Sequence, residues 1–297
     1  MNIHDVGEDE LIETLLKQTP VASGASGPGD DCAVLERDGD QLQLLKTDAM
    51  VEGVHWAPDN EAHRVGWKAV ARVVSDIAAM GGQPKEFLIT LAMPKETAID
   101  WPTELYRGIG NCLNHYGGVI VGGETTSCPA GSPIFISVAA SGEVARRQVI
   151  FRSGAQPGDS LLVTGKLGGS LAGKHLDFRP RLMEADWLTN HFKPTAMMDL
   201  SDGLAKDLPR LAVASNCGFT LTREGIPCTD GYSIEQALTD GEDYELLFAI
   251  ATNRVPNLLE AWARQFGHVP LSVIGELCQP GEGDALSGGW DHFGSKH

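Results

Sequence analysis

The sequence predicts an α/β fold of the α+β type that is divided into two domains. The spacing of its apolar residues switches repeatedly between helix-like and strand-like periods, which is typical of mixed architectures. The length of 297 residues allows two domains of ordinary size. A polar, basic segment at 145–159 interrupts the apolar pattern, and a new strand-like run, SLLVTG, follows it. We therefore place a boundary near residue 150, which gives predicted domains 1–150 and 151–297.

In the first half, a short opening helix carries Leu11, Ile12, Leu15 and Leu16 on one face. A stretch rich in glycine, proline and serine predicts a loop at 19–31. Residues 61–80 predict a helix, because apolar side chains recur there at helical spacing until Gly81 and Gly82 end the pattern. The remaining elements are predicted as strands at 32–36, 42–47, 86–93, 118–122 and 133–140, and as a helix at 101–115.

The second half predicts a glycine-rich turn at 165–173, followed by a linker at 174–198 in which no helix is predicted. A helix is predicted after the string DLSDG at 199–203. The other elements are predicted as strands at 219–222, 245–250 and 271–277, and as a helix at 255–266.

The chain is acidic, with 23 Lys and Arg against 40 Asp and Glu and a net charge of −17. Nucleic acids and anionic membrane surfaces both attract clustered Lys and Arg, so we expect neither as a partner. No apolar run reaches the roughly 18 residues of a membrane span, and the acidic N-terminal stretch lacks the layout of a signal peptide. We therefore expect a cytoplasmic protein whose six widely spaced cysteines are reduced, packed thiols.

Familiar nucleotide-binding and hydrolase motifs are missing from the sequence. In GDSLLVTGKL, at 158–167, the spacing is too long for a P-loop, and leucine follows the lysine where a magnesium-binding Ser or Thr is needed. GASGPG, at 24–29, lacks the Rossmann spacing, and neither GxSxG nor HExxH occurs. A Ser-His-Asp triad stays open, because the sequence alone does not place its members in space.

Carboxylates recur beside glycines and near the ends of apolar runs, a placement that a solvated charged face explains poorly. They are Asp30, Asp31, Asp48, Asp76, Glu124, Asp199, Asp202, Glu242 and Asp243. Brought together, such groups repel one another unless divalent cations compensate them. Magnesium prefers oxygen ligands and bridges carboxylates to substrate phosphates, so the pattern favours a magnesium–phosphate site.

A purely structural explanation of these acids stays open beside the functional one. An isolated aspartate at a strand end or helix start is more often a turn former or an N-cap than a ligand, and Asp199 and Asp202 fit that role. Asp76 fits it least, since a carboxylate on a largely apolar helix is costly without a partner. A non-catalytic cation-binding or scaffold protein is therefore a second class of function, although no EF-hand string is present.

A series of strings, spread in order over nearly the whole chain, carries a family resemblance. They are GDDCAVL (29–35), KTDAMVEGVHW (46–56), SDIAAMGG (75–82), GGETT (122–126), RSGAQPGD (152–159), LLVTGKLGGSLAG (161–173), MDLSDGL (198–204), DGEDYELLF (240–248) and GWDHF (289–293). Each string is weakly specific, but the ordered set resembles the thiamine-monophosphate kinase family of the aminoimidazole-ribotide synthetase superfamily. The resemblance implies a C-terminal α/β sandwich and a homodimer whose N-terminal mixed sheets pair. It also implies a transfer of the γ-phosphoryl group of ATP to thiamine monophosphate that depends on several Mg²⁺ ions.

By this resemblance, the family's site positions correspond to named residues of this chain. The metal-ligand positions are Asp31, Thr47, Asp48, Asp76, Glu124, Asp199 and Asp202. The positions that contact ATP are Gly123, Glu124, Arg152 and Ser201, and those that contact thiamine phosphate are His55, Glu242 and Trp290. No catalytic base is implied, because the acceptor phosphate is already ionised at neutral pH. We expect direct in-line transfer without a covalent enzyme intermediate.

Three departures from the family pattern bear on the site. Lys46 stands where a small hydroxyl residue is frequent, so an ammonium group alters or replaces one metal site. Glu124 stands where aspartate is usual, and the segment 174–198 is shorter than typical. The nearest alternatives are other enzymes of the superfamily. However, a selenophosphate synthetase needs a reactive cysteine that the loop at 19–31 lacks, and an aminoimidazole-ribotide synthetase lacks the GVHW and GEDYEL contexts.

Overall fold

Two five-stranded sheets organise the chain, which the computed structural model describes over residues 2–24 and 27–293. Helices pack against both sheets, which confirms the predicted mixed α/β class. The first sheet is built from residues up to Ala145 and the second from Asp159 onward. We propose that the division between the domains lies at residue 150, within the connection between the two sheets.

The first sheet is mixed, as predicted. Its strands are β1 (Ala33–Glu36), β2 (Gln41–Val51), β3 (Gln83–Pro94), β4 (Val119–Cys128) and β5 (Phe135–Ala145), and its helices are α1 (Glu8–Leu16), α2 (Ala62–Ala79) and α3 (Asp100–Tyr116). The strand order is β1-β2-β5-β3-β4, in which β3 and β4 are parallel and the other pairs are antiparallel. Strand β4 is therefore an edge strand, and nine of its ten residues are exposed.

The second sheet is entirely antiparallel, in the order β7-β9-β6-β10-β8. Its strands are β6 (Asp159–Thr164), β7 (Ala196–Asp199), β8 (Gly218–Leu221), β9 (Leu246–Ala251) and β10 (Leu271–Cys278). Its helices are α4 (Lys174–Asp177), α5 (Leu182–His191), α6 (Leu204–Ala214), α7 (Ile234–Thr239) and α8 (Val255–Gln265). Strands β6, β7 and β9 are almost fully buried on both faces. Their sequences are therefore continuous apolar runs and do not alternate between apolar and polar residues.

Helix α2 connects the two halves of the molecule. It packs against β2 and β5 of the first sheet and also against α5 and β7 of the second half. Burial on several sides explains why Val65, Val70 and Val74, which point in different directions from the helix axis, are all inaccessible to solvent. Polar side chains on this helix are thereby held between the two sheets.

The prediction of a helix-free linker at 174–198 is wrong, because α4, α5 and β7 lie there. Helix α5 buries the polar side chains Glu184 and Thr189 together with Leu182 and Leu188, so its hydrophobic pattern is weak. Strand β7 has four residues, all buried, which is too short to show a period. Helix α7 was not predicted either, because its six residues are also too few to show a period.

Strands β2 and β4 run further than predicted, and this corrects the placement of two acids. Strand β2 continues to Val51 and β4 continues to Cys128, so Asp48 and Glu124 lie inside strands rather than at their ends.

No helix in the described part of the chain is long and apolar enough to span a bilayer. The six cysteines are free thiols, of which Cys32, Cys112 and Cys217 are buried.

Candidate active site

Three buried aspartates converge from separate elements of the fold. Asp31 precedes β1, Asp76 lies on α2 and Asp199 ends β7. One carboxylate oxygen from each lies within 4.8 Å of the other two. Ser75 Oγ donates a hydrogen bond of 2.6 Å to Asp199 Oδ2. Burial, and then the negative charge of Asp31, raise the pKa of Asp199 above its usual range. The three carboxylates therefore repel one another, and a bound cation would stabilise this acid cluster in its ionised form.

The acid cluster suits a magnesium ion. Its donors are all carboxylate oxygens, the ligands that a hard divalent cation prefers. Asp31 Oδ2 is buried and has no hydrogen-bond partner among the described residues. An unpaired buried carboxylate oxygen is costly, and a bound cation would satisfy it. The residues therefore fit the metal that the family resemblance implies.

Basic side chains surround the acid cluster and partly compensate its charge. Lys46 Nζ lies 2.8 Å from Asp76 Oδ1 and 3.6 Å from Asp48 Oδ1. Arg72 Nε lies 3.4 Å from Asp48 Oδ2, so Asp48 is held between two cations. Burial disfavours the charged form of Lys46, but Asp76 and Asp48 more than offset this effect and raise its pKa above the usual range.

Arg152 links the acid cluster to an open pocket of about 570 Å³. Its Nη2 donates a hydrogen bond of 2.5 Å to Asp31 Oδ1, and its backbone N–H donates one of 2.7 Å to Asp30. Its Nε is buried without a hydrogen-bond partner among the described residues. Lys206 and Arg210 line the same pocket, and with Arg152 they outnumber its one acidic lining residue, Asp9, so the pocket suits an anionic ligand.

A second cavity gathers five of the predicted site residues. Its volume is about 60 Å³, and its lining includes His55, Ser201, Asp202, Glu242 and Trp290. A wider neighbouring pocket of about 530 Å³ shares His55 with it. The structure thus brings the three predicted thiamine phosphate contacts together, although they come from distant parts of the sequence.

Asp202 does not join the acid cluster of the other predicted ligands. Its Oδ2 accepts a hydrogen bond of 2.6 Å from Arg210 and lies 3.5 Å from Lys206 Nζ. Its backbone carbonyl accepts a hydrogen bond of 2.8 Å from the backbone N–H of Trp290. Asp202 therefore also fastens the C-terminal segment to the start of α6.

A buried lysine joins the two halves of the molecule beside this cavity. Lys68 Nζ donates a hydrogen bond of 2.6 Å to the carbonyl of His55, lies 2.8 Å from His175 Nδ1 and is paired with Glu242. Burial lowers the pKa of Lys68 to about 8. Burial disfavours the charged form of Glu242, but His175 and Lys68 more than offset this and lower its pKa to about 2. Glu242 is thus a fixed, ionised carboxylate.

Three predicted site residues lie apart from the acid cluster within this chain. Gly123 and Glu124 are exposed on β4, which is separated from β2 by β5 and β3. Three strand spacings place β4 roughly 14 Å from the strand that carries Asp48. The side chain of Thr47 is exposed on the face of β2 opposite to Lys46 and Asp48, because alternate residues face opposite sides.

Three residues of the site were not predicted from the sequence: Lys68, Arg72 and His175. A signal for two of them is present. Lys68, Arg72 and Asp76 follow one another at intervals of four on a mostly apolar helix, which aligns their side chains on one face. No comparable signal exists for His175, because α4 has only four residues.

His55 is expected to make the protein less stable in mild acid. Burial, and then the charge of Arg72, lower its pKa to about 4, and the backbone N–H of Val51 donates to its Nδ1 at 3.0 Å. The unfolded chain binds the proton more readily, so this stability is present above the unfolded pKa of about 6.5 and is lost as the pH falls towards about 4. We expect His55→Gln to reduce this loss by up to about 2 kcal/mol.

Thermal unfolding of the parent and His55→Gln between pH 4 and pH 7.5 measures this effect. The exposed His63, replaced in the same way, is the matched control and should leave the pH profile unchanged. Identical profiles for the parent and His55→Gln would contradict the expectation.

Comparison with known proteins identifies relatives over most of the chain. The N-terminal domain family of AIR synthase related proteins matches residues 29–144, and the C-terminal domain family matches residues 156–286. A thiamine-monophosphate kinase of Rhodopirellula baltica is 38% identical over 273 residues, which cover 85% of this chain and 83% of that protein.

Solved structures show the same relationship. AaThiL complexed with AMPPCP and TMP has a TM-score of 0.83 and 30% identity, with 98% of this chain and 99% of that chain covered. The crystal structure of thiamine monophosphate kinase from Aquifex aeolicus has a TM-score of 0.78 and 30% identity, with coverage of 97% and 98%.

Proposed function

Because this chain belongs to the thiamine-monophosphate kinase family, we propose that it phosphorylates thiamine monophosphate with ATP and gives thiamine diphosphate. One observation supports this most directly: the acid cluster is connected to both candidate ligand pockets. Arg152 lines the larger pocket and bonds Asp31. Arg72 lines the smaller cavity and pairs with Asp48, which Lys46 joins to Asp76 of the cluster. A phosphate bound in each pocket would therefore approach the same carboxylates.

Magnesium is the cation that we propose for the acid cluster. Asp31, Asp76 and Asp199 of the cluster, together with the neighbouring Asp48, would hold several such ions. Thr47 would contribute through its backbone, since its side chain faces away. When bound, magnesium neutralises negative charge on the phosphates and favours transfer. Asp202 would join these ligands only if Arg210 released its carboxylate.

The chain's own residues would then position two phosphates for direct in-line transfer. Arg152 offers a planar fork of donors to the nucleotide, and Ser201 lies in the cavity where the two ligands would meet. The acceptor phosphate is ionised at neutral pH, so no residue needs to remove a proton from it. No covalent enzyme intermediate is required.

We propose that a homodimer completes each site. Gly123 and Glu124 are exposed on an edge strand, too far from Asp48 to act in the same chain. The neighbouring sheet face carries an apolar groove of about 350 Å³ that includes Leu45, Leu88 and Val121. Pairing of two such faces would cover the groove and would bring Gly123 and Glu124 to the second copy's nucleotide and metal.

Thiamine phosphate would occupy the neighbouring pocket of about 530 Å³ and extend into the smaller cavity at His55, Glu242 and Trp290. Its thiazolium ring is a cation, which the ionised Glu242 and the aromatic face of Trp290 both attract. We also place the protein in the cytoplasm, where its free thiols would stay reduced, and we expect neither nucleic acid nor membrane as a partner.

Trp290→Ala is expected to raise the KM for thiamine monophosphate about tenfold with little change in kcat, since a desolvated cation–π contact contributes about 1–2 kcal/mol. Steady-state kinetics at saturating ATP measure the effect. Trp290→Phe retains an aromatic face and should recover most of the affinity. An unchanged KM in Trp290→Ala would remove this residue from the substrate site.

The proposed function is tested by incubation with ATP, Mg²⁺ and thiamine monophosphate, followed by chromatography. We expect thiamine diphosphate and ADP in equal amounts. Activity on a different acceptor would favour another enzyme of the superfamily. A non-catalytic cation binder would gain no thermal stability from a non-hydrolysable ATP analogue beyond that from Mg²⁺ alone.

A further inference from the structure

The ammonium of Lys46 lies between Asp76 of the acid cluster and the neighbouring Asp48. The side chains at 46 and 48 leave the same face of β2, because alternate residues of a strand share a face. This places the ammonium 3.6 Å from Asp48 Oδ1 and 2.8 Å from Asp76 Oδ1. The side chain of Lys46 is 20% exposed, so these two carboxylates stabilise its positive charge more than water does.

An ammonium at this point excludes a divalent ion from the space between the same two oxygens. Magnesium needs oxygen ligands at about 2.0–2.1 Å in near-octahedral geometry, which leaves no room for a nitrogen cation between them. Two adjacent cations would also repel each other strongly where little water screens them. The charge that a metal would supply there is already supplied by the chain.

We infer that the ammonium of Lys46 is a tethered cation that takes the place of one divalent metal ion between Asp48 and Asp76. Other metal ions would bind on the side of the cluster formed by Asp31 and Asp199, where Asp31 Oδ2 is buried without a partner among the described residues. Asp48 would contribute to them through Oδ2, the oxygen that does not face Lys46. The inference deepens the proposed function, since it specifies how the metal–phosphate site is charged in this chain.

Replacement of Lys46 by a small hydroxyl residue should open this position to metal. We expect Lys46→Ser to bind about one more Mn²⁺ per chain than the parent, counted by equilibrium dialysis and by electron paramagnetic resonance in the presence of AMPPCP. Mn²⁺ is a suitable probe because it accepts the same oxygen ligands as Mg²⁺. Lys46→Met removes the charge but fills the space, so it should bind no additional ion.

Two control variants show whether the Mn²⁺ count depends on the positive charge at position 46 or on the loss of any lysine. Lys46→Arg keeps a cation in place and should bind as many ions as the parent. Lys85→Ser removes an exposed lysine of the same sheet that is paired with Glu143 at 3.2 Å, and should also leave the count unchanged. An equal Mn²⁺ count in Lys46→Ser and the parent at all concentrations would overturn the inference.

Two further measurements keep the test decisive. If Lys46→Ser unfolds without metal, its count is made on protein refolded in Mn²⁺, and its melting temperature should rise with Mn²⁺ more than that of Lys46→Met. Product formation is assayed separately on the parent. If the parent forms thiamine diphosphate but Lys46→Ser binds no additional ion, only the role of Lys46 is rejected. If Lys46→Ser binds an additional ion but the parent forms no product, only the proposed activity is rejected.

Discussion

Asp48→Asn is expected to lower kcat for thiamine diphosphate formation about a thousandfold while the chain remains folded. Metal-assisted charge neutralisation contributes several kcal/mol to phosphoryl transfer, and each 1.36 kcal/mol changes the rate about tenfold. The amide has the shape of the carboxylate but not its charge, so it binds magnesium poorly. Lys46 keeps its contact with Asp76 at 2.8 Å, and Arg72 keeps its hydrogen bond to the carbonyl of Ala49 at 3.0 Å.

Steady-state kinetics over a range of Mg²⁺ concentrations, together with circular dichroism, measure both parts of this expectation. Asp230→Asn is the matched control, because the Asp230 side chain is 92% exposed and pairs only with Lys166 among the described residues. That variant should retain the parent's kcat. Near-normal turnover in Asp48→Asn would show that the metal-ligand role assigned to Asp48 is wrong.

Long, strongly patterned elements were predictable from the sequence because their burial is one-sided or complete. Helix α2 was predicted as 61–80 and observed as Ala62–Ala79, since its apolar stripe ends at glycines that favour a turn. Strand β7 and helix α5 were not predictable in the same way. The strand is too short for a period, and the helix buries Glu184 beside Arg181, whose Nη1 lies 3.6 Å away.

The site was predictable as a set of residues but not as an arrangement. Family resemblance indicated Asp31, Asp76 and Asp199, and the structure brings these three together. It could not indicate that Lys68 would join His55 to Glu242, because this contact depends on how the two halves of the molecule pack. Sequence order also gives no sign that Glu124 lies on an edge strand remote from the other predicted ligands.

Two inactive variants are expected to restore activity when they share a dimer. If Glu124 acts in the site of the second copy, Asp48→Asn and Glu124→Gln damage different parts of that shared site. A mixed dimer then contains one site with both changes and one site with neither. Random exchange makes about half of the dimers mixed, so activity should recover to about a quarter of the parent's value per chain.

Co-expression with two affinity tags isolates the mixed dimer, whose activity should reach about half of the parent's, because one of its two sites is intact. A mixed dimer of Asp48→Asn with Asp76→Asn is the matched control. Asp76 belongs to the acid cluster and Asp48 is joined to it through Lys46 of the same chain, so each site stays damaged and no activity should return. Recovery in the control, or none in the Glu124→Gln mixture, would contradict a site shared between copies. Because β4 lies three strands from β2, recovery confined to the Glu124→Gln mixture would require that the carboxylate reaches the cluster from the partner's sheet.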